Sequence, residues 1–155
     1  MNEIERILDQ LKRAYEGGAW HGPSVREVLE GVTAQEAHAR PIANAHSIWE
    51  IMHHIAVWED GVRRRLEGEP LAIETGSPED WPPPNDTSEP AWEQAKASLE
   101  KAHARLIAAV ASVPESRLNQ PIVEGFSTVY ATLHGQIQHE LYHAGQIAIL
   151  KKALS

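Results

Sequence analysis

The sequence predicts an all-α protein, a four-helix bundle with long crossing connections. Two patterns carry that prediction. Four long segments place apolar residues at helical spacing, each behind a polar residue suited to cap a helix. No pair of segments alternates convincingly as strands. The length of 155 residues suits a single domain over residues 1–155 with one sizeable core.

The first helix is expected over Glu3–Tyr15, where Ile4, Ile7, Leu8 and Leu11 follow the i, i+3, i+4, i+7 rule. Asn2 is positioned to cap it, with Glu5 three residues on. Ser24–Glu27 and Thr33–Glu36 are also capping boxes, separated by Gly31, and predict one or two short helices. The second long helix is expected over Ile48–Glu67. It opens on a Ser47/Glu50 capping box and buries a stripe of Ile48, Ile51, Ile55, Val62 and Leu66. Gly68–Asp86 contains three consecutive prolines and cannot be regular structure. The third long helix is expected over Glu89–Val113, capped by Thr87 or Ser88 and closed by Pro114. Its apolar seam, Trp92, Ala95, Leu99, Ala102, Leu106 and Ala109, is narrow and heptad-like. Pro121–Phe126 is a second irregular connection, and the last helix is expected over Thr128–Leu154 behind Ser127.

Composition narrows the function classes. There is no cysteine, so disulfides, thiolate ligands and a cysteine nucleophile are excluded. The formal net charge of −8 opposes a nucleic-acid partner. The one basic run, Arg63–Arg65, is flanked by Glu59, Asp60 and Glu67 and reads as a solvated helix face. The N-terminal residues lack a basic and an apolar region, and no stretch approaches the ~18 apolar residues of a membrane span. A cytoplasmic protein without a membrane partner is expected.

Histidine is the compositional oddity, at nine residues. "HELYHAGQ" places His139 and His143 one turn apart on one helix face. Around that helix Gln136, His139, His143, Gln146 and Leu150 share a side, while His134, Gln138, Gly145 and Lys152 lie opposite, toward solvent. Gly135 leaves room beside His139. The second long helix offers adjacent His53 and His54. Against the stripe of Ile51, Ile55, Trp58 and Val62, His54 lies at the edge and His53 nearly opposite, in solvent. His54 is therefore the third inward histidine. By pattern alone, these three fit either a metal site or hydrogen-bonded core residues. The H-E-x-x-H string does not predict a zinc protease, although Glu140 could approach an ion. Such an enzyme needs a third ligand, usually downstream, and only twelve residues follow His143.

"HSIWEIMHHIAVWEDGVRRRLEGE" and "HGQIQHELYHAGQIAILKKAL" resemble the two signature regions of the DinB/YfiT-like superfamily. The resemblance covers essentially the whole chain. It implies a bundle in up-down-down-up order and a divalent ion, usually zinc or nickel, on His54, His139 and His143. It also implies a homodimer through outer helix faces, for which the narrow seam of the third helix is the local support. Many members carry arginine where this chain has Ala144, a departure expected to alter a surface contact or the surroundings of the ligands. Characterised members are thiol-dependent enzymes: bacillithiol S-transferases, and maleylpyruvate isomerases using glutathione or mycothiol. Many others are labelled metal-dependent hydrolases.

Three neutral imidazoles leave an ion its full charge and open positions, which acidify a bound water and deprotonate a bound thiol. A small-molecule substrate is expected. Thiol transfer leads, and any thiol must come from a low-molecular-weight cosubstrate. Hydrolysis and a non-catalytic metal-binding or stress-response module are the alternatives. Gln136, Gln146 and Glu50 are candidates to orient the ligands, and Tyr142 and Trp58 to wall the pocket. Affinity for the ion is expected to fall as pH drops through about 6.5.

Overall fold

A computed structural model describes residues 1–155 and has no strand. Its helices are α1 (Glu3–Tyr15), α2 (Val25–Leu29), α3 (Ala34–His38), α4 (Ile48–Leu66), α5 (Glu89–Ala111) and α6 (Val129–Leu154), with a 3₁₀ turn at Glu115–Arg117. No helix is long and apolar enough to cross a membrane.

Capping chemistry sets most of the helix starts. Asn2/Glu5, Ser24/Glu27 and Thr33/Glu36 form complete capping boxes. Ser47 accepts from the Glu50 N–H, but the Glu50 carboxylate does not return to close a box. It is taken by Arg40, His46 and the Ser47 hydroxyl instead. Ser88 caps α5, with Pro90 in the first turn, where a missing N–H costs nothing. α6 starts one residue later than expected, behind Thr128 rather than Ser127. α5 ends at Ala111, short of Val113, because the residue before Pro114 is sterically pushed out of the helical region.

Cross-helix pairs fix the directions. Trp49 meets Trp92 and Glu59 meets His103, so α4 and α5 run parallel. Tyr15 stacks on His103 while Ile4 shares a cluster with Val110, so α1 opposes α5. Ile48 and Met52 cluster with Ile147 and Leu150, while Val62 clusters with Val129 and Leu133, so α6 opposes α4. The order is up-down-down-up. A parallel α4–α5 pair obliges residues 67–88 to travel back along the whole of α4, about 28 Å.

The apolar interior is split in two. One cluster holds Met52, Ile55, Leu99, Ala144 and Ile147, and the other holds Val62, Leu106, Leu133 and Ile137. Between them, at the level of residues 54–59, 103 and 136–143, a set of polar side chains is buried: His54, Glu59, His103, Gln136, Glu140 and His143. The seam of α5 is spent inside this bundle, where Trp92, Leu99 and Leu106 are buried. It offers no outer face, so it lends no support to the expected dimer.

Candidate metal centre

α4 and α6 bring His54, His139 and His143 together. His139 Nε2 lies 2.9 Å from His54 Nε2 and 3.2 Å from His143 Nε2. One nitrogen from each ring lies within 4.8 Å of the other two, a group able to hold a metal ion. For comparison, a tetrahedral ion with metal–nitrogen bonds of 2.0–2.1 Å has ligand–ligand edges of about 3.3 Å.

The far nitrogens decide the tautomers. His54 Nδ1 donates to the Asp80 carbonyl oxygen at 2.9 Å and faces its carboxylate at 3.0 Å. His143 Nδ1 donates to Gln146 Oε1 at 2.7 Å. Both rings therefore turn an Nε2 lone pair inward. A proton on His139 Nε2 can satisfy one of those lone pairs but not both, and His139 Nδ1 is itself buried without a partner. A cation among the three Nε2 atoms satisfies every inward lone pair, so the residues present fit a divalent ion.

Burial, the first cause in each case, lowers the basicity of all three rings. It takes His139 to about 3 and His143 to about 4, and it lowers His54. Neighbouring imidazoles add to the effect on His139 and His143. The rings are neutral at ordinary pH, the form that binds metal.

The crossing segment builds one side of the site. Asp80, only 2% exposed, is held by Trp58 Nε1, the Gly76 N–H and the Ser77 hydroxyl, and it in turn fixes His54. Trp81 is sandwiched between His46 and His54, with ring centroids 3.7 Å away on each side. A cleft of about 430 Å³ reaches His54, Asp80 and His139 and is bordered by Trp58, Arg65, Gly135 and Gln136.

Several expectations need correction. His53 is half-buried rather than in solvent: its Nδ1 donates to the Pro82 carbonyl and its Nε2 accepts from Trp49 Nε1. Gln136 donates to Glu140, not to an imidazole, and Glu50 serves Arg40 and His46. Tyr142 is 66% exposed and does not border the cleft, though its ring meets His143 edge-on at 5.2 Å between centroids, and Trp58 does line the cleft. Glu140 does not approach the three histidines. It points into the core toward Glu59 and His103. Ala144 is buried in an apolar cluster, so that position makes no surface contact. Glu59, expected beside a solvated helix face, is fully buried, and nothing in the sequence marked Asp80, Trp81 or His103.

A family model described as the DinB superfamily matches residues 9–147, which include all three histidines. Comparison with curated proteins and with solved structures gave no match.

Proposed function

This chain belongs to the DinB superfamily, and we propose that it holds one divalent ion, zinc or nickel, on His54, His139 and His143 and transfers a small-molecule thiol to an electrophile. The observation that carries this reading is the convergence of three Nε2 atoms whose outer two rings are locked, through Nδ1, by Asp80 and Gln146. An ion there supplies the charge that favours the deprotonated form of a ligated thiol.

The chain's own residues supply the rest. Asp80 and Gln146 hold two imidazoles in the binding tautomer, and Trp81 covers His54 against water. The cleft leaves an approach along His54 and His139, which a closed, purely structural site would lack. Arg65 borders it, its guanidinium 4.5 Å from the Phe126 ring and its Nε bound to the Leu71 carbonyl. That fixed cation suits a carboxylate on an acidic thiol cosubstrate. Hydrolysis is less well served. It would want a free carboxylate beside the site, whereas Asp80 is already committed to His54, Trp58 and Gly76 and Glu140 faces away.

Elemental analysis of the purified protein, followed by assay of an aryl halide with several low-molecular-weight thiols, tests the reading. One zinc or nickel per chain and thiol-dependent turnover lost in His143→Ala are expected. A metal-loaded protein that cleaves esters but transfers no thiol would reverse the choice between transfer and hydrolysis.

A further inference from the structure

The polar layer contains a second cluster that the histidine centre does not use. Glu59 on α4, His103 on α5 and Glu140 on α6 are 0%, 3% and 0% exposed. None of them borders the cleft. One ligand-type atom from each lies within 4.8 Å of the other two.

His103 and Glu140 are held from outside the cluster. His103 Nε2 lies 3.2 Å from Glu16 Oε1, and Tyr15 stacks on the ring at 4.0 Å between centroids. Gln136 Nε2 donates to Glu140 Oε1 at 3.1 Å. What remains faces inward: His103 Nδ1, 3.2 Å from Glu59 Oε1, together with Glu59 Oε2 and Glu140 Oε2. Those two carboxylate oxygens are fully buried and accept from no N–H or hydroxyl donor, and the two carboxyls lie close enough to share a hydrogen bond only if one of them is protonated.

We propose that Glu59, His103 and Glu140 form a second divalent-cation site, separate from the three-histidine centre and sharing no ligand with it. A 2+ ion neutralises two buried carboxylates and leaves His103 neutral, so this cluster carries no uncompensated charge. Glu16 then accepts the Nε2–H of His103, the carboxylate–histidine arrangement that orients metal-bound imidazoles. Gln136 orients Glu140 in the same way. One imidazole and two carboxylates are a harder donor set than three imidazoles, and they suit manganese, iron(II), cobalt or zinc. The rival occupant is a proton shared between the carboxyls, which burial holds above their usual range.

The test uses Co(II), which suits both donor sets, on the metal-free full-length chain. Bound ions per chain are counted after desalting and located in crystals by anomalous scattering at the cobalt edge. Two ions are expected in the wild type, one of them between Glu59, His103 and Glu140. One is expected in Glu59→Gln/Glu140→Gln, and one in His139→Ala/His143→Ala. A single ion lost in the glutamine variant but kept in the alanine variant also supports the second site while removing the histidine one. A single ion that survives Glu59→Gln/Glu140→Gln overturns the proposal, and so does wild-type density at the histidines alone. The wild-type crystal answers the question even if a variant fails to fold.

Discussion

His53 and His54 are neighbours in the chain with opposite surroundings. The helix places His54 Nε2 against His139, while His53 is pinned between Trp49 and Pro82. His54→Ala, His139→Ala and His143→Ala should each weaken metal binding by more than 100-fold, beyond the 10–100-fold typical of losing an outer partner. His53→Ala should leave affinity within a few-fold. Calorimetric titration checks both, and loss of metal in His53→Ala with retention in His54→Ala would refute the assignment. The outer partners grade the effect. Gln146→Ala should cost about 10–100-fold, because His143 Nδ1 then has no acceptor. Asp80→Ala should cost toward the lower end of that range, about 10-fold, because the Asp80 backbone carbonyl still accepts from His54. Equal affinities in wild type and both variants would show that tautomer control does not matter here. The inward choice of His54 was legible in the sequence, because a stripe of branched apolar residues defines the buried face of α4. The role of Asp80 was not. No periodicity marks a residue in a segment without regular structure.

At the scale of elements, the caps were legible and the crossing segment was not. A serine or threonine three residues before a glutamate signals a helix start locally, so α2 and α3 could be foreseen although each is only five residues long. Residues 67–88 follow no local rule. Their path is set by the parallel order of α4 and α5, a property of the whole bundle, and that path delivers Asp80, Trp81 and Pro82 to the histidines. His103 was hidden differently: it sits one place from Ala102 in a seam that reads as alanine and leucine. Two helix glycines can be tested on the same scale. A Cβ at Gly61 would make ordinary contacts, 3.6 Å to Leu71 and 3.8 Å to Trp58, and a Cβ at Gly135 meets nothing within 4 Å. Gly61→Ala and Gly135→Ala should therefore each stabilise the protein by about 0.5–1 kcal/mol through helix propensity. That corresponds to roughly 1–4 °C in melting temperature for a chain of this size. Gly135→Leu should keep the metal but block thiol transfer, because its side chain enters the cleft. Unchanged thiol affinity in Gly135→Leu would move the substrate elsewhere on the surface.

At the scale of the molecule, an ion on His54, His139 and His143 would tie α4 to α6 across the layer that divides the two apolar clusters. Metal removal should not unfold the chain, since those clusters bury residues from all four long helices. It should lower the melting temperature, because an ion that binds only the folded state adds about 2.7 kcal/mol at 100 times its dissociation constant. For this length that is about 5–10 °C. The pH range of the effect follows from the burial of the ligands. In the unfolded chain these histidines take up protons near pH 6.5. In the folded metal-free chain burial holds His139 to about 3 and His143 to about 4. Between those limits the unfolded state binds more protons, so the stability of the metal-free protein falls as pH drops below about 6.5. The increment from the ion outlasts the ordinary histidine range, because burial lowers His54 as well and keeps protons off His139 and His143 until the pH nears 4. The loss of affinity expected from free imidazoles near pH 6.5 is thus displaced downward by desolvation. Melting curves of metal-loaded and dialysed metal-free protein should keep at pH 6 most of the gap seen at pH 8, while both melting temperatures decline. The gap should close only below the range in which exposed histidines titrate, once the first of the three buried rings takes up a proton. A gap that disappears between pH 7 and pH 6 would mean that the three rings titrate as exposed histidines, and so that the pocket is open to water in solution.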